Sequence, residues 1–274
     1  MRAAHPLPVP ATAAVHYPET DEMAQSTVQR LIAEFLRPLL QRFLQQVWDQ
    51  SIASASEYTE LRMKGPFFTG ADQFWYFEKD NNRAQVSPDV YVMPAQRPTQ
   101  TPSSWFMWKL DTPPLFAFEV VSENFEKDYR EAPIQYAATG VRELVVFDPD
   151  APKASVGRRG VQRYRWQVWH RAADGSFTQV IKSNEDRVKS EALHCWLRLV
   201  GEGEQRLIRI GLGENGDQLF LSDVEQERAE KERERAERLI LQAQLDALLR
   251  AQSSTGGSKR ATPKAKRKRS QRER

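Results

Sequence analysis

The chain has 274 residues, 40% hydrophobic and 28% charged, which is enough to build a sizeable core and excludes a wholly disordered protein. Its single cysteine, Cys195, excludes an intrachain disulfide and points to a reducing, cytoplasmic setting, with Cys195 expected as a core thiol. The net charge of +3 is uneven: Ser253 to Arg274 holds nine Lys or Arg against one Glu, a surplus of eight, which leaves minus five for the rest. The basic balance therefore belongs to the tail and does not imply a basic DNA-binding face on the folded part. The histidines His5, His16, His170 and His194 lack metal-ligand spacing, so no zinc site is expected. No apolar run reaches the length of a membrane span, and the first 20 residues lack the apolar stretch of a signal peptide.

Residues 1–19, rich in Ala and Pro, read as a loose arm. From Met23 to Val47 the apolar residues recur at helical spacing, with Pro38 expected to kink or break the pattern. Phe74 to Phe77 reads as a strand, Asp80 to Asn82 as a turn, and Val86 as the start of a further strand toward Asp89. Residues 94–114 carry five prolines and read as a loop pinned by Trp105, Phe106 and Trp108, which also have the chemistry to stack on bases. The apolar run from Leu115 to Val121 predicts a buried strand, with Leu115, Ala117, Glu119 and Val121 on one face. Asn124 to Thr139 predicts a helix ending at Gly140, and Glu143 to Asp148 another strand, so that strand, helix and strand make a crossover unit. Asp148 is assigned to the turn that follows. Tyr164 to His170 and Phe177 to Ile181 read as a hairpin around Asp174 and Gly175, and short strands continue to Leu221. A charged helix should occupy residues 222–252, with Leu241, Leu245 and Leu248 on one face, free to make a short coiled coil or to pack on the body. Residues 253–274 contain no core formers and are expected to be disordered. The body is then a single domain over residues 20–221.

Two acids stand out. Asp89 follows a proline and leads into Val90, Tyr91, Val92 and Met93, and Glu119 sits inside the buried run. A carboxylate in such a setting must be paired, protonated or bound to a cation, and two of them suggest a divalent-metal site.

The stretch SPDVYVM, then FEVVS, then Asp128 with Tyr136, then TGVRELVVFDP, resembles the Uma-two family of restriction-endonuclease-like proteins, within the PD-(D/E)XK nuclease-like superfamily. The resemblance runs over roughly residues 23 to 250. It implies an α+β restriction-endonuclease-like fold, a mixed sheet flanked by helices, with the charged C-terminal helix and basic tail appended. It further implies Mg2+ or Mn2+ held by Asp89 and Glu119, and DNA as the partner. The superfamily lysine two residues after the acid is here Val121, and the displaced lysine four residues after Asp128 is here Ala132. Lys127 and Arg130 are the nearest cations. Lys127 is the candidate to complete a catalytic set of Asp89, Glu119 and Lys127, with a solvated charge at a helix start as its other reading. Asp128 is open between an acid supporting the site and a helix N-terminal charge, while Tyr136 is expected in the core of its helix. The expected function is metal-dependent hydrolysis of DNA phosphodiester bonds. The alternative is an inactive nuclease fold that serves as a scaffold and forms a homodimer through the C-terminal helix.

Overall fold

The computed structural model describes residues 27–52, 55–95, 102–122, 127–151 and 162–256. The arm at 1–19, Asn124, and the tail beyond residue 256 lie outside the described residues. The chain divides into two units, Met1–Phe220 and Leu221–Arg274.

The first unit opens with α1, Thr27–Trp48, whose residues Ile32, Ala33, Leu36, Leu39, Leu40, Phe43, Leu44 and Val47 make one buried stripe. Pro38 does not break this helix. Pro38 and Glu34, whose carbonyl loses its helical partner, are both exposed, so water can satisfy that carbonyl while the buried stripe holds the turns on either side. A single short helical turn, α2, occupies Thr59–Arg62. The strands that follow are β1 (Phe68–Gly70), β2 (Phe74–Tyr76), β3 (Gln85–Val86), β4 (Val90–Met93), β5 (Ser104–Phe106) and β6 (Phe116–Val120). A π-helical turn at Lys127–Glu131 leads into α3, Ala132–Thr139, and then come β7 (Glu143–Phe147), β8 (Trp166–Arg171) and β9 (Phe177–Ser183). The unit ends with β10 (Arg187–Ser190), β11 (Cys195–Val200), β12 (Leu207–Leu212) and β13 (Gln218–Leu219).

A six-stranded sheet runs β1-β4-β6-β7-β8-β9, a four-stranded sheet β10-β11-β12-β13, and a three-stranded sheet β3-β2-β5. The large sheet is mixed: β6 and β7 are parallel, joined through α3, and its other pairs are antiparallel. Gly140 closes α3 in the left-handed region at φ 81°, where a side chain would be strained. Alternation along the strands splits the core between the two faces of the large sheet. Val90, Val92, Phe116, Phe118, Val120, Val145 and Phe147 pack with α1 and the four-stranded sheet. Tyr91, Met93, Ala117, Val121, Leu144 and Val146 pack with Ala132 and Tyr136 of α3 and with Trp75 of β2.

Three expectations need correction. The loop at 94–114 contains β5, which pairs in parallel with β2 because Trp105 and Phe106 find aromatic partners in Tyr91, Phe68 and Tyr76. Leu115 packs with the α1 face, away from Ala117 and Val121, because it precedes the first residue of β6 and escapes its alternation. The helix after β6 is α-helical only from Ala132; Lys127–Glu131 is wound more loosely, immediately before Pro133, whose missing N–H removes an α-helical bond.

In the second unit α4 spans Asp223–Gly256, four residues past its expected end. Ser222 caps it: the Glu225 carboxylate accepts from Ser222 N and Oγ at 2.9 Å each, and Ser222 Oγ accepts from Glu225 N at 3.4 Å. Ion pairs such as Lys231 to Glu227 at 2.5 Å support the charged first half. None of the described helices is long and apolar enough to cross a membrane.

Candidate active site

Antiparallel pairing of β4 with β6 opposes Val90 to Phe118 and Tyr91 to Ala117, so the register carried one residue further opposes Asp89 to Glu119. Glu119 shares the alternation of Ala117 and Val121 and points toward α3, where Tyr136 meets it, whereas Asp89 precedes the first residue of β4. Asp89 is 2% exposed, whereas Glu119 keeps a partly exposed edge. The Asp89 carboxylate is gripped on both oxygens: Oδ1 accepts from Gln29 Nε2 of α1 at 2.7 Å, and Oδ2 accepts from the Val120 backbone N at 2.7 Å. On the other acid, the fully buried Tyr136 hydroxyl donates to Glu119 Oε1.

Burial pushes the Asp89 carboxyl up to about 7, against the lowering effect of its bonds from Val120 and Gln29. Burial, and then the charge of Asp89, push Glu119 well above the ordinary carboxylate range. Each acid is among the groups that shift the other, so the two carboxyl groups interact. Tyr136 is also held well above the ordinary phenol range, by burial and then by the Glu119 charge.

The other sequence candidates fall around this pair. Asp128 Oδ2 accepts from Ser122 N at 2.8 Å and Ser122 Oγ at 3.0 Å, which ties the π-helical turn to the end of β6. Burial raises Asp128, against the lowering effect of its bonds from Ser122 and of the charge of its chain neighbour Lys127. Lys127 itself is exposed, as is Arg130. The two positions that resemblance assigns to lysine are both closed: Val121 and Ala132 are buried in the α3-side core. Cys195 is buried among apolar side chains on the opposite face, and burial raises its thiol far above the ordinary range, as suits a core thiol.

Three residues in or near the site were missed by sequence reasoning. Gln29 is a polar residue one turn before Ile32 and Ala33 on the buried stripe of α1, which was the available signal. Asp148 does shape the turn after β7, accepting from Asp150 N at 2.9 Å, but it is also fully buried and receives Arg163 Nε and Nη2 at 2.6 Å each and the Tyr129 hydroxyl at 2.8 Å. Nothing in the local sequence marks Arg163, fifteen residues away, as its partner.

A mixed sheet with a parallel β-α-β crossover, flanked by helices and carrying two opposed acids at a strand end, defines a restriction-endonuclease-like α+β protein. The Uma2 family, described as "Putative restriction endonuclease", matches residues 25–180, more than half of the chain, and the chain belongs to that family. The match ends within β9, so the four-stranded sheet and α4 lie beyond it, although the sequence resemblance was read as far as residue 250. No curated protein matches the chain.

Proposed function

We propose that this protein is a divalent-cation-dependent nuclease that hydrolyses DNA phosphodiester bonds, with Asp89 and Glu119 as the cation ligands. The observation that carries this reading is the opposed, buried pair itself. Two like-charged carboxyl groups taken from water retain a proton unless a cation replaces it, and hard oxygen donors suit Mg2+ or Mn2+. Among the described residues no group of three or more His, Cys, Asp or Glu is arranged around a common point. Two carboxylates still fit Mg2+, which keeps several waters and takes substrate phosphate oxygens for the rest of its octahedron.

A cation held there supplies polarisation of the phosphate and a more acidic water. The residues of the chain do the remaining work. Val120 N and Gln29 fix the plane of Asp89, and Tyr136 holds Glu119 through Oε1. The partly exposed edge of Glu119 opens the pair to a phosphate, while the buried Ala117, Val121 and Trp75 keep bulk water from its rear. Lys127 is the candidate to offset charge on the phosphate.

The test is cleavage of plasmid DNA with Mg2+ or Mn2+ by the full chain, by Asp89→Asn and by Glu119→Gln. Both variants should lose cleavage and still fold, and excess chelator should stop the wild type. Cleavage that survives in both variants, or in chelator, overturns the assignment.

One observation favours the second reading, an inactive scaffold: both lysine positions are apolar and closed. In that reading α4 carries self-association, because Leu241, Leu245 and Leu248 fall on one helix face at 64%, 51% and 63% exposure. A wild type that never cleaves, and that sediments as a dimer unless Leu245 is replaced by Asp, would favour it.

A further inference from the structure

Two glutamines on α1 bond to residues of the sheet. Gln41 Oε1 accepts from Thr69 Oγ1 at 2.9 Å, tying the helix to β1, which bears no acid of the site. Gln29 donates from Nε2 to Asp89 Oδ1 at 2.7 Å, sixty residues away in sequence. The two bonds are alike in kind and differ in what they hold. Asp89 without Gln29 would keep only its anchor at Oδ2, from Val120 N, and its carboxylate would be free to pivot about that bond. The second anchor comes from a different element and fixes the carboxylate plane. The anchor is also neutral. An amide N–H orients a carboxylate and leaves its negative charge available, whereas a lysine or arginine at the same place would neutralise it.

We infer that Gln29 is a positioning residue of the acidic pair: it presents Asp89 to a hard divalent cation without competing for its charge, which makes the start of α1 part of the cation site. This rests on the function proposed above. Removing a group that orients a ligand costs about 10-fold or more in metal affinity.

The test is Mn2+ binding, read from the loss of the free-ion resonance, by the full chain and four variants, with the melting temperature of each measured without metal. Gln29→Leu should bind Mn2+ about 10-fold more weakly than wild type. Gln29→Lys should melt no lower than wild type, because it keeps a donor and adds an ion pair with Asp89, yet it should bind less Mn2+ than Gln29→Leu. Gln41→Leu should lower the melting temperature and leave Mn2+ affinity unchanged, which separates anchoring the helix from positioning the acid. Asp89→Asn should lose the site. If both Gln29 variants bind as wild type does while Asp89→Asn does not, Gln29 only anchors the helix and the nuclease reading survives alone. If the wild type binds no better than Asp89→Asn, both are overturned.

Discussion

At the scale of single residues, Asp89 makes the most distinctive prediction. Its carboxyl is held at about 7 against 3.8 in an unfolded chain, mainly by burial, and Glu119 moves in the same direction. Between these limits the folded protein binds more protons than the unfolded one. The stability contribution is therefore complete at low pH and is lost as pH rises through the folded value, by about 1.4 kcal/mol per pH unit for each proton retained. Urea unfolding of the metal-free protein from pH 4.5 to 8 should show this decline, and Asp89→Asn should flatten it. Stability that rises over this window would contradict carboxyl groups raised by burial. Mg2+ added at pH 8 should restore what is lost, because a ligand bound only by the folded state stabilises it. Ala132 gives a second prediction. It lies one helical turn before Tyr136, whose hydroxyl reaches Glu119, so a side chain there faces the same acid. Ala132→Lys should raise plasmid cleavage by about 10²-fold, the scale of one preorganised charge at a phosphoryl site, at some loss of stability for the buried amine. An unchanged rate would show that a missing lysine is not what limits this site. Both acids were legible in sequence because each breaks a pattern: a proline-led acid before a strand, and a charge within an apolar run. The residues that hold them were not. Hydrogen bonds such as Gln29 to Asp89 depend on which helix crosses which strand end, and helical spacing alone does not fix that.

At the scale of elements, long periodic segments were readable and short or paired ones were not. The stripe of α1 and the β6-α3-β7 crossover follow from spacing, but β5 exists because aromatic partners on β1, β2 and β4 receive it, and its own three residues carry no strand signal strong enough to outweigh the surrounding prolines. The joint between the large sheet and the four-stranded sheet was equally silent. Glu143 opens β7 and is fully buried. It accepts from Glu191 N at 2.9 Å, Ala192 N at 3.0 Å and the Ser190 hydroxyl, all just after or at the end of β10, and His170 Nε2 stands 2.8 Å away on β8. One carboxylate therefore joins two sheets that share the α1-side core. Glu143→Ala leaves two backbone amides, one of them buried, the buried Ser190 hydroxyl and an imidazole without their acceptor, so it should cost about 3 kcal/mol in urea unfolding. A change below about 0.5 kcal/mol, typical of a surface site, would show that the joint is held by apolar packing alone. Glu143 also raises the His170 imidazole above 6.5. This part of the stability is present at low pH and is lost as pH rises through the raised value, so His170→Gln should make the decline above pH 6.5 shallower and leave the remainder to Asp89 and Glu119.

At the scale of the whole molecule, charge is separated along the chain. Residues 1–252 carry a net minus five, and the acids of the candidate site lie within them, so a polyanion approaching that site meets repulsion. The nine cations that outweigh this charge all lie from Lys259 onward, beyond the last residue of α4. Attraction for DNA should therefore reside in the tail and chemistry in the first unit. Each phosphate neutralised by a tail cation adds about 0.9 to the slope of log affinity against log salt. A chain ending at Gly256 keeps every described element and removes the whole positive surplus. Anisotropy titrations at several salt concentrations should show it binding duplex DNA more weakly at low salt and with a flatter slope than the full chain, at an unchanged melting temperature. Cleavage at saturating DNA should be unaltered, because the truncation touches neither Asp89 nor Glu119. Equal slopes for the two chains would move DNA contact onto the folded unit, where Lys127 and Arg130, exposed on the turn before α3, would be the first cations to replace.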